Sequence, residues 1–179
     1  MTPFFIGITG GSGSGKTALA RELKKHFGRK AKILHMDKYQ RFGEKLPRLF
    51  GMENWDCPAA IKWDTLYKDL ISLKKNKGII IVEGYFLFYK PKVHRLFNFR
   101  VFLMASEKTR VERRRNLKNE KYIKKILLPK YIKKIVLPMH KKYIEPTKKF
   151  ADLVLNTEKY SVKQCCKKVI KQLSRKKVV

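Results

Sequence analysis

Residues 10–17 read GGSGSGKT, a phosphate-binding loop of the form G-x-x-x-x-G-K-[ST], and such a loop dictates its surroundings. A strand must deliver the chain to it and a helix must lead away, because backbone N–H groups turn inward around a phosphate while the helix N-terminus points at it. Both neighbours are legible. Phe4, Phe5, Ile6 and Ile8 form a short apolar run, and Ala18 to Phe27 carries Leu19, Leu23 and Phe27 at helical spacing. Gly10, Gly11, Ser12, Gly13, Ser14, Gly15, Lys16 and Thr17 are therefore expected to cradle the phosphates of a nucleoside triphosphate. Lys16 then neutralises β- and γ-phosphate oxygens, and the Thr17 hydroxyl is placed for Mg²⁺.

The rest of the chain alternates in kind. Ala31 to His35, Ile79 to Val82, Phe99 to Met104 and Leu153 to Leu155 read as short apolar strands. Asp64 is expected to cap a helix with Leu66, Leu70, Ile71 and Leu73, closed by Asn76 and Gly78; Ser106 caps a basic helix. Ser161 caps a last helix with Val162, Cys165, Val169, Ile170 and Leu173 inward, and residues 38–57 read as a long functional loop. Apolar strands separated by helices indicate an α/β fold: a doubly wound parallel sheet covered on both faces, with ligands at the carboxyl ends of the strands. Asp37 and Glu83 each follow such a strand, as the glycine loop does.

At 179 residues the chain has room for one well-buried core, so residues 1–179 are expected to form a single domain. No apolar run approaches the roughly 20 residues that cross a bilayer. The chain enters its first strand by Phe4 without a basic, cleavable leader, which points to the cytoplasm. Cys57, Cys165 and Cys166 lack the spacing of a zinc site or disulfide framework.

Lys and Arg number 44 against 14 Asp and Glu, a net charge of +30. Such a field attracts polyanions, yet the lysines are spread along the chain without a nucleic-acid-binding motif, so weak, salt-sensitive, non-specific adhesion is the expectation. A direct repeat, KYIKKILLP at 121–129 and KYIKKIVLP at 130–138, reads as a local duplication in a mobile region, with a basic membrane- or RNA-facing segment as the alternative. Nine residues turn a helix by about 180°, and Pro129 and Pro138 should break or kink a continuous helix.

Phosphoryl transfer asks mainly for positioning and charge compensation. Thr17 and Glu83 are placed to organise Mg²⁺, and Asp37 to take the proton of an attacking hydroxyl and to touch the metal shell. Arg110, Arg113 and Arg114, in the basic helix after Ser106, suit a lid over about residues 106–138 that closes on the triphosphate. His26, His35, His94 and His140 show no ligand spacing and receive no catalytic role.

Four blocks, GITGGSGSGKT, HMDKY, IIIVEGYFLFY and LPMHKKYIEPTKKFADLVL, give the chain its resemblance to the uridine kinase-like branch of P-loop small-molecule kinases. The resemblance implies a three-layer nucleoside monophosphate kinase-like architecture with a helical lid, ATP and Mg²⁺, and transfer to a nucleoside 5′-hydroxyl. By position it makes Asp37 the base, Thr17 and Glu83 the metal shell, and Arg110 and Arg113 lid residues reaching acceptor and phosphates. Asp56 would hold the ribose hydroxyls, Trp55 would face the base, and Tyr39 would wall the acceptor pocket. The β-hairpin with which uridine kinases read the pyrimidine, before the strand ending in Glu-Gly, is missing: Lys77 and Gly78 lead straight into Ile79. Nicotinamide riboside kinases resemble the chain in this respect. A nucleic-acid-associated NTPase or polynucleotide kinase, and an ATP-binding protein with reduced catalysis, are the readings from other classes.

Overall fold

The computed structural model describes residues 2–115 and 129–176. β1 (Phe4–Gly10) leads through the glycine loop into α1 (Lys16–Phe27), and β2 (Ala31–His35) follows. A long connection holds a two-stranded hairpin of β3 (Arg48–Leu49) and β4 (Met52–Glu53). Then come α2 (Trp63–Leu73), β5 (Ile79–Glu83), the short α3 (Pro91–His94), β6 (Phe99–Met104) and α4 (Glu107–Arg115). A helical segment over 129–150, here α5, precedes β7 (Leu153–Asn156) and α6 (Val162–Arg175).

The sheet runs β2-β5-β1-β6-β7 and every described pairing in it is parallel. Its strands look uniformly apolar because both faces are covered. Ile6, Ile8, Ile79, Ile81, Val101 and Leu103 meet Leu19 and Leu23 of α1 and Cys165, Cys166, Val169 and Leu173 of α6. Their neighbours Phe5, Ile80, Val82 and Phe102 point the other way, onto Leu66 and Leu70 of α2, Val93 of α3 and Ile144 of α5. The direction of winding reverses at β1, so the crevice at a switch point opens beside the glycine loop.

Several local expectations change. Lys62, not Asp64, precedes the first turn of α2; Asp64 lies within that turn, exposed, with its carboxylate 2.8 Å from Lys92 Nζ. Val162 is exposed, and Cys166 takes the inward position beside Cys165. All three cysteines are free and buried. Ser161 does cap α6, with a reciprocal bond from Gln164.

The second copy of the duplicated segment is a packed element rather than a mobile one. Tyr131, Ile132, Ile135 and Val136 are buried against Trp55, Met52 and Val111; residues 121–128 of the first copy lie outside the described residues. Pro138 does not end the helix. Ile132–Val136 and His140–Ile144 are π-helical, Leu137 N–H reaching Ile132 O and Glu145 N–H reaching His140 O. Each wide turn closes two residues before a proline, Pro138 or Pro146. The extra residue in the turn moves aside the carbonyl that a proline ring would strike, which lets the helix pass.

Gly78 admits the chain into β5 at φ 88°, and a Cβ there would stand 2.2 Å from the Lys30 carbonyl oxygen. Gly78→Ala is expected to cost about 2 kcal/mol or more, through left-handed backbone and a clash with main chain. Urea unfolding would show a lower midpoint at unchanged slope.

Candidate active site

The register of three strands builds the floor of the site. β1 pairs Ile8 with Glu83, and β2 pairs His35 with the same residue, so these positions stand level where the strands end. Glu83 is buried, and its Oε1 accepts from the Thr17 hydroxyl at 3.1 Å and meets His35 Nδ1 at 2.7 Å. His35 is thus a site residue that sequence reasoning passed over. Its place at the end of a strand was the available signal, but strand order decides which carboxylate it meets.

The loop has the geometry of an anion cradle. Gly10, Gly13 and Gly15 have φ of 145°, 79° and 91°, values closed to side chains at little cost only for glycine. Gly15 precedes α1, so the first amides of that helix face the cleft. Ser14 N–H bonds back to Gly11 O at 3.0 Å, and Lys16 Nζ donates to the same oxygen at 3.1 Å. Burial lowers the pKa of Lys16, opposed by Glu83 and Asp37. Asp37, in the helical turn Met36–Tyr39 after β2, opens onto the cleft. Desolvation by the surrounding protein raises its pKa, opposed chiefly by Lys16.

α4 docks directly on the loop. A Cβ at Gly11 would lie 2.6 Å from Arg110 Nη1, and one at Gly13 would lie 2.4 Å from Arg110 O. Arg110 is buried and its Nε has no partner among the described residues. Burial moves its pKa down, and a guanidinium stays charged nonetheless. Arg113 holds α4 to the turn after β7, donating to Thr157 Oγ1 and to Thr157 O, both at 2.8 Å. Arg114, expected at the triphosphate, turns instead to Asp56, with Nη1 3.7 Å from Oδ1.

Asp56 is buried. The Tyr131 hydroxyl donates to its Oδ2 at 3.0 Å and accepts from Trp55 N–H at 3.2 Å. Tyr131 comes from the duplicated segment and was not among the sequence candidates. Trp55 packs edge-on to Phe42 with ring centroids 5.3 Å apart. Tyr39 does not wall the cleft: its ring is buried in the core beneath Asp37, and its hydroxyl donates to Asp69 Oδ2 at 2.7 Å. Ser12 stays in the loop, half-buried.

Tyr85 and His140 complete the rim. Lys16 Nζ stands 5.8 Å from the centre of the Tyr85 ring, and His140 stacks on the far side at 6.4 Å. Burial, with Arg110 and Lys16 nearby, depresses the His140 imidazole to about 4, so it is neutral at pH 7. Together with Gly11, Arg110 and Glu145 it lines a cavity of about 110 Å³ beside the loop.

ATP and Mg²⁺ fit these residues. The positive-φ glycines of the loop turn its backbone amides into an anion cradle, and Thr17 and Glu83 offer the hard oxygen donors that Mg²⁺ prefers. Among the described residues no three His, Cys, Asp or Glu side chains form a self-sufficient metal site.

Comparison with known proteins agrees with the geometry. A family model described as an AAA domain matches residues 6–133. Uridine kinase of Bacillus thuringiensis is 30% identical, the match covering 86% of this chain and 85% of that protein. Uridine kinase of Chlamydia pneumoniae is 29% identical over 87% of this chain and 82% of its own length. The chain belongs to the uridine kinase family. Among solved structures, shikimate kinase from Acinetobacter baumannii superposes with a TM-score of 0.66 at 17% identity, covering 99% of this chain and 96% of that one. A possible uridine kinase from Bacillus stearothermophilus gives 0.58 at 20% identity, with 87% and 89% covered. The fold is that of the P-loop kinases, and the chain is a phosphotransferase of the class with an alcohol group as acceptor.

Tyr131→Phe leaves the buried Asp56 without its hydroxyl donor. Stability should fall by about 1–3 kcal/mol; an unchanged thermal midpoint would show that the carboxylate does not depend on this phenol.

Proposed function

We propose that this chain transfers the γ-phosphoryl group of ATP to the 5′-hydroxyl of a nucleoside, as one kinase domain working in the cytoplasm. The observation that carries the reading is the convergence, at one rim of the sheet, of the glycine loop, Lys16, the Thr17–Glu83 pair and Asp37. Lys16 and the loop amides hold the donor phosphates. Thr17 and Glu83 organise Mg²⁺, which when bound neutralises charge on the β- and γ-phosphate oxygens. Asp37 takes the hydroxyl proton as the acceptor attacks. Its raised pKa makes it a better proton acceptor than an ordinary aspartate, while Lys16 beside it keeps the carboxylate form accessible. Asp56 orients the ribose hydroxyls and Trp55 faces the ring. Arg110 and Arg113 compensate charge on the phosphates, and Arg114 works on the acceptor side through Asp56.

Uridine and cytidine are the leading acceptors. Nicotinamide riboside is the second reading, favoured by the connection from α2 to β5, which spans only residues 74–78 and has no room for a base-reading hairpin.

Asp37→Asn should lower kcat by about 10²-fold or more with little change in ATP affinity. In the parent enzyme kcat/KM should fall as pH drops through a value above the ordinary aspartate pKa of about 3.9, since the base must be deprotonated. That limb should vanish in the variant. A retained kcat with weakened ATP binding would make Asp37 a metal or structural residue. In ADP-release assays, uridine, cytidine and nicotinamide riboside should give kcat/KM values within about two orders of magnitude, because a site without polar partners for the base edge discriminates poorly. A preference for uridine beyond about a thousandfold would overturn this and place base reading in the 38–57 loop.

A further inference from the structure

The helices α1 and α6 pack side by side on one face of the sheet, through Leu19, Leu23, Cys165, Val169 and Leu173. Their outward faces are cationic in two rows at four-residue spacing. Arg21 and Lys25 form one on α1, with Arg29 in the short turn that follows it, and Lys163, Lys167, Lys171 and Arg175 form the other on α6; all seven are exposed. Across residues 17–30 and 161–176 the only acid is Glu22. Among the described residues, the one salt bridge of this surface is Lys176 to Asp152, at 4.0 Å. The α2 side of the molecule is mixed, since Lys68, Lys74 and Lys75 share it with Asp64 and Asp69, and Asp64 is paired.

Like charges four residues apart destabilise a helix. Two parallel rows of them, each stepping about 6 Å per cation, are hard to account for as solvation of a helix face. We propose that the α1/α6 face is a docking surface for the phosphate backbone of a nucleic-acid duplex. The charge complementarity requires an extended polyanion, because the α6 row runs the length of its helix and Arg21 and Lys25 of α1 lie beside it. Among the described residues the face has no large outward apolar residue other than the 39% exposed Val162, so they form no apolar stripe of the kind by which an amphipathic helix enters a membrane. The nearby Tyr160 ring is covered by Lys168 at 4.3 Å, so no aromatic platform is offered to the bases of a single strand. What remains is backbone contact without sequence reading.

The test is fluorescence anisotropy with an RNA duplex of about 20 base pairs, between about 50 and 200 mM salt, on the full chain. Binding should be micromolar or weaker at physiological salt and steeply salt-dependent. K163E/K167E/K171E on α6 should weaken it more than about tenfold and flatten the slope of log K against log salt by about 3. K68E/K74E/K75E on α2 makes the same change in net charge and should weaken binding less than about threefold. Thermal melts check that both variants fold, with single substitutions along the α6 row replacing the triple if it does not. Equal losses from the two triples would show that only the overall charge matters and overturn the proposal. So would failure to bind duplex at the lowest salt, preference for single-stranded RNA, or α6-dependent binding to phosphatidylserine vesicles without duplex binding.

Discussion

Parallel pairing in one register is the constraint on which the site depends. β5 lies between β2 and β1, and its register sets Glu83 level with His35 on one side and Ile8 on the other. The glycine loop begins two residues beyond Ile8, so Thr17 returns from the loop directly over Glu83. A slip of one residue would turn Glu83 into the apolar layer and Val82 into the cleft. The apolar alternation that buries Ile81 on one face and Val82 on the other therefore fixes the position of the metal-side carboxylate. Core and site are specified by the same side chains.

The second constraint is the contact between α4 and the loop. Gly11 and Gly13 are needed where Arg110 and its backbone approach, a use of glycine separate from its positive φ. A buried guanidinium with an unpartnered Nε is costly unless another acceptor completes it. Phosphate is the natural partner at this place, as the arginine fork matches phosphate oxygens. Clamping of Arg113 by Thr157 ties the same helix to the turn after the edge strand. α4 is in this way positioned by both ends of the cleft.

The sheet and the phosphate loop were legible in the sequence because each is a local pattern: apolar runs, glycines at fixed spacing, a lysine and a threonine in sequence. Asp37 and Glu83 were legible as candidates because Glu83 ends β5 and Asp37 follows the end of β2. The rest depends on partners far along the chain. His35 meets Glu83 only through strand order, and Tyr131 reaches Asp56 across 75 residues. Tyr39 looked like a pocket wall because it follows Asp37 closely, yet a tight helical turn directs its ring into the core. Pro138 signalled a break, since propensity does not anticipate that a π turn can absorb a proline. The hairpin at 48–53 was hidden for a different reason: its turn places Phe50 at φ 51° before Gly51 at 73°, and phenylalanine is an unusual residue in a left-handed turn position.

Asp56 shows how the acceptor side is joined to the rest. Its carboxylate receives one hydrogen bond from Tyr131 of α5 and a longer ionic contact from Arg114 of α4. A carboxylate has about four acceptor positions, so these contacts leave capacity at a group that is almost fully buried. In a low-dielectric setting unfilled capacity on a charge is unfavourable, and vicinal hydroxyls are donors of the right kind to fill it. A ribose placed there would touch a residue that already links α4 to α5. The same α4 carries Arg110 against the phosphate loop, so under the proposed function acceptor binding at Asp56 and donor binding at the loop would bear on one helix from its two sides.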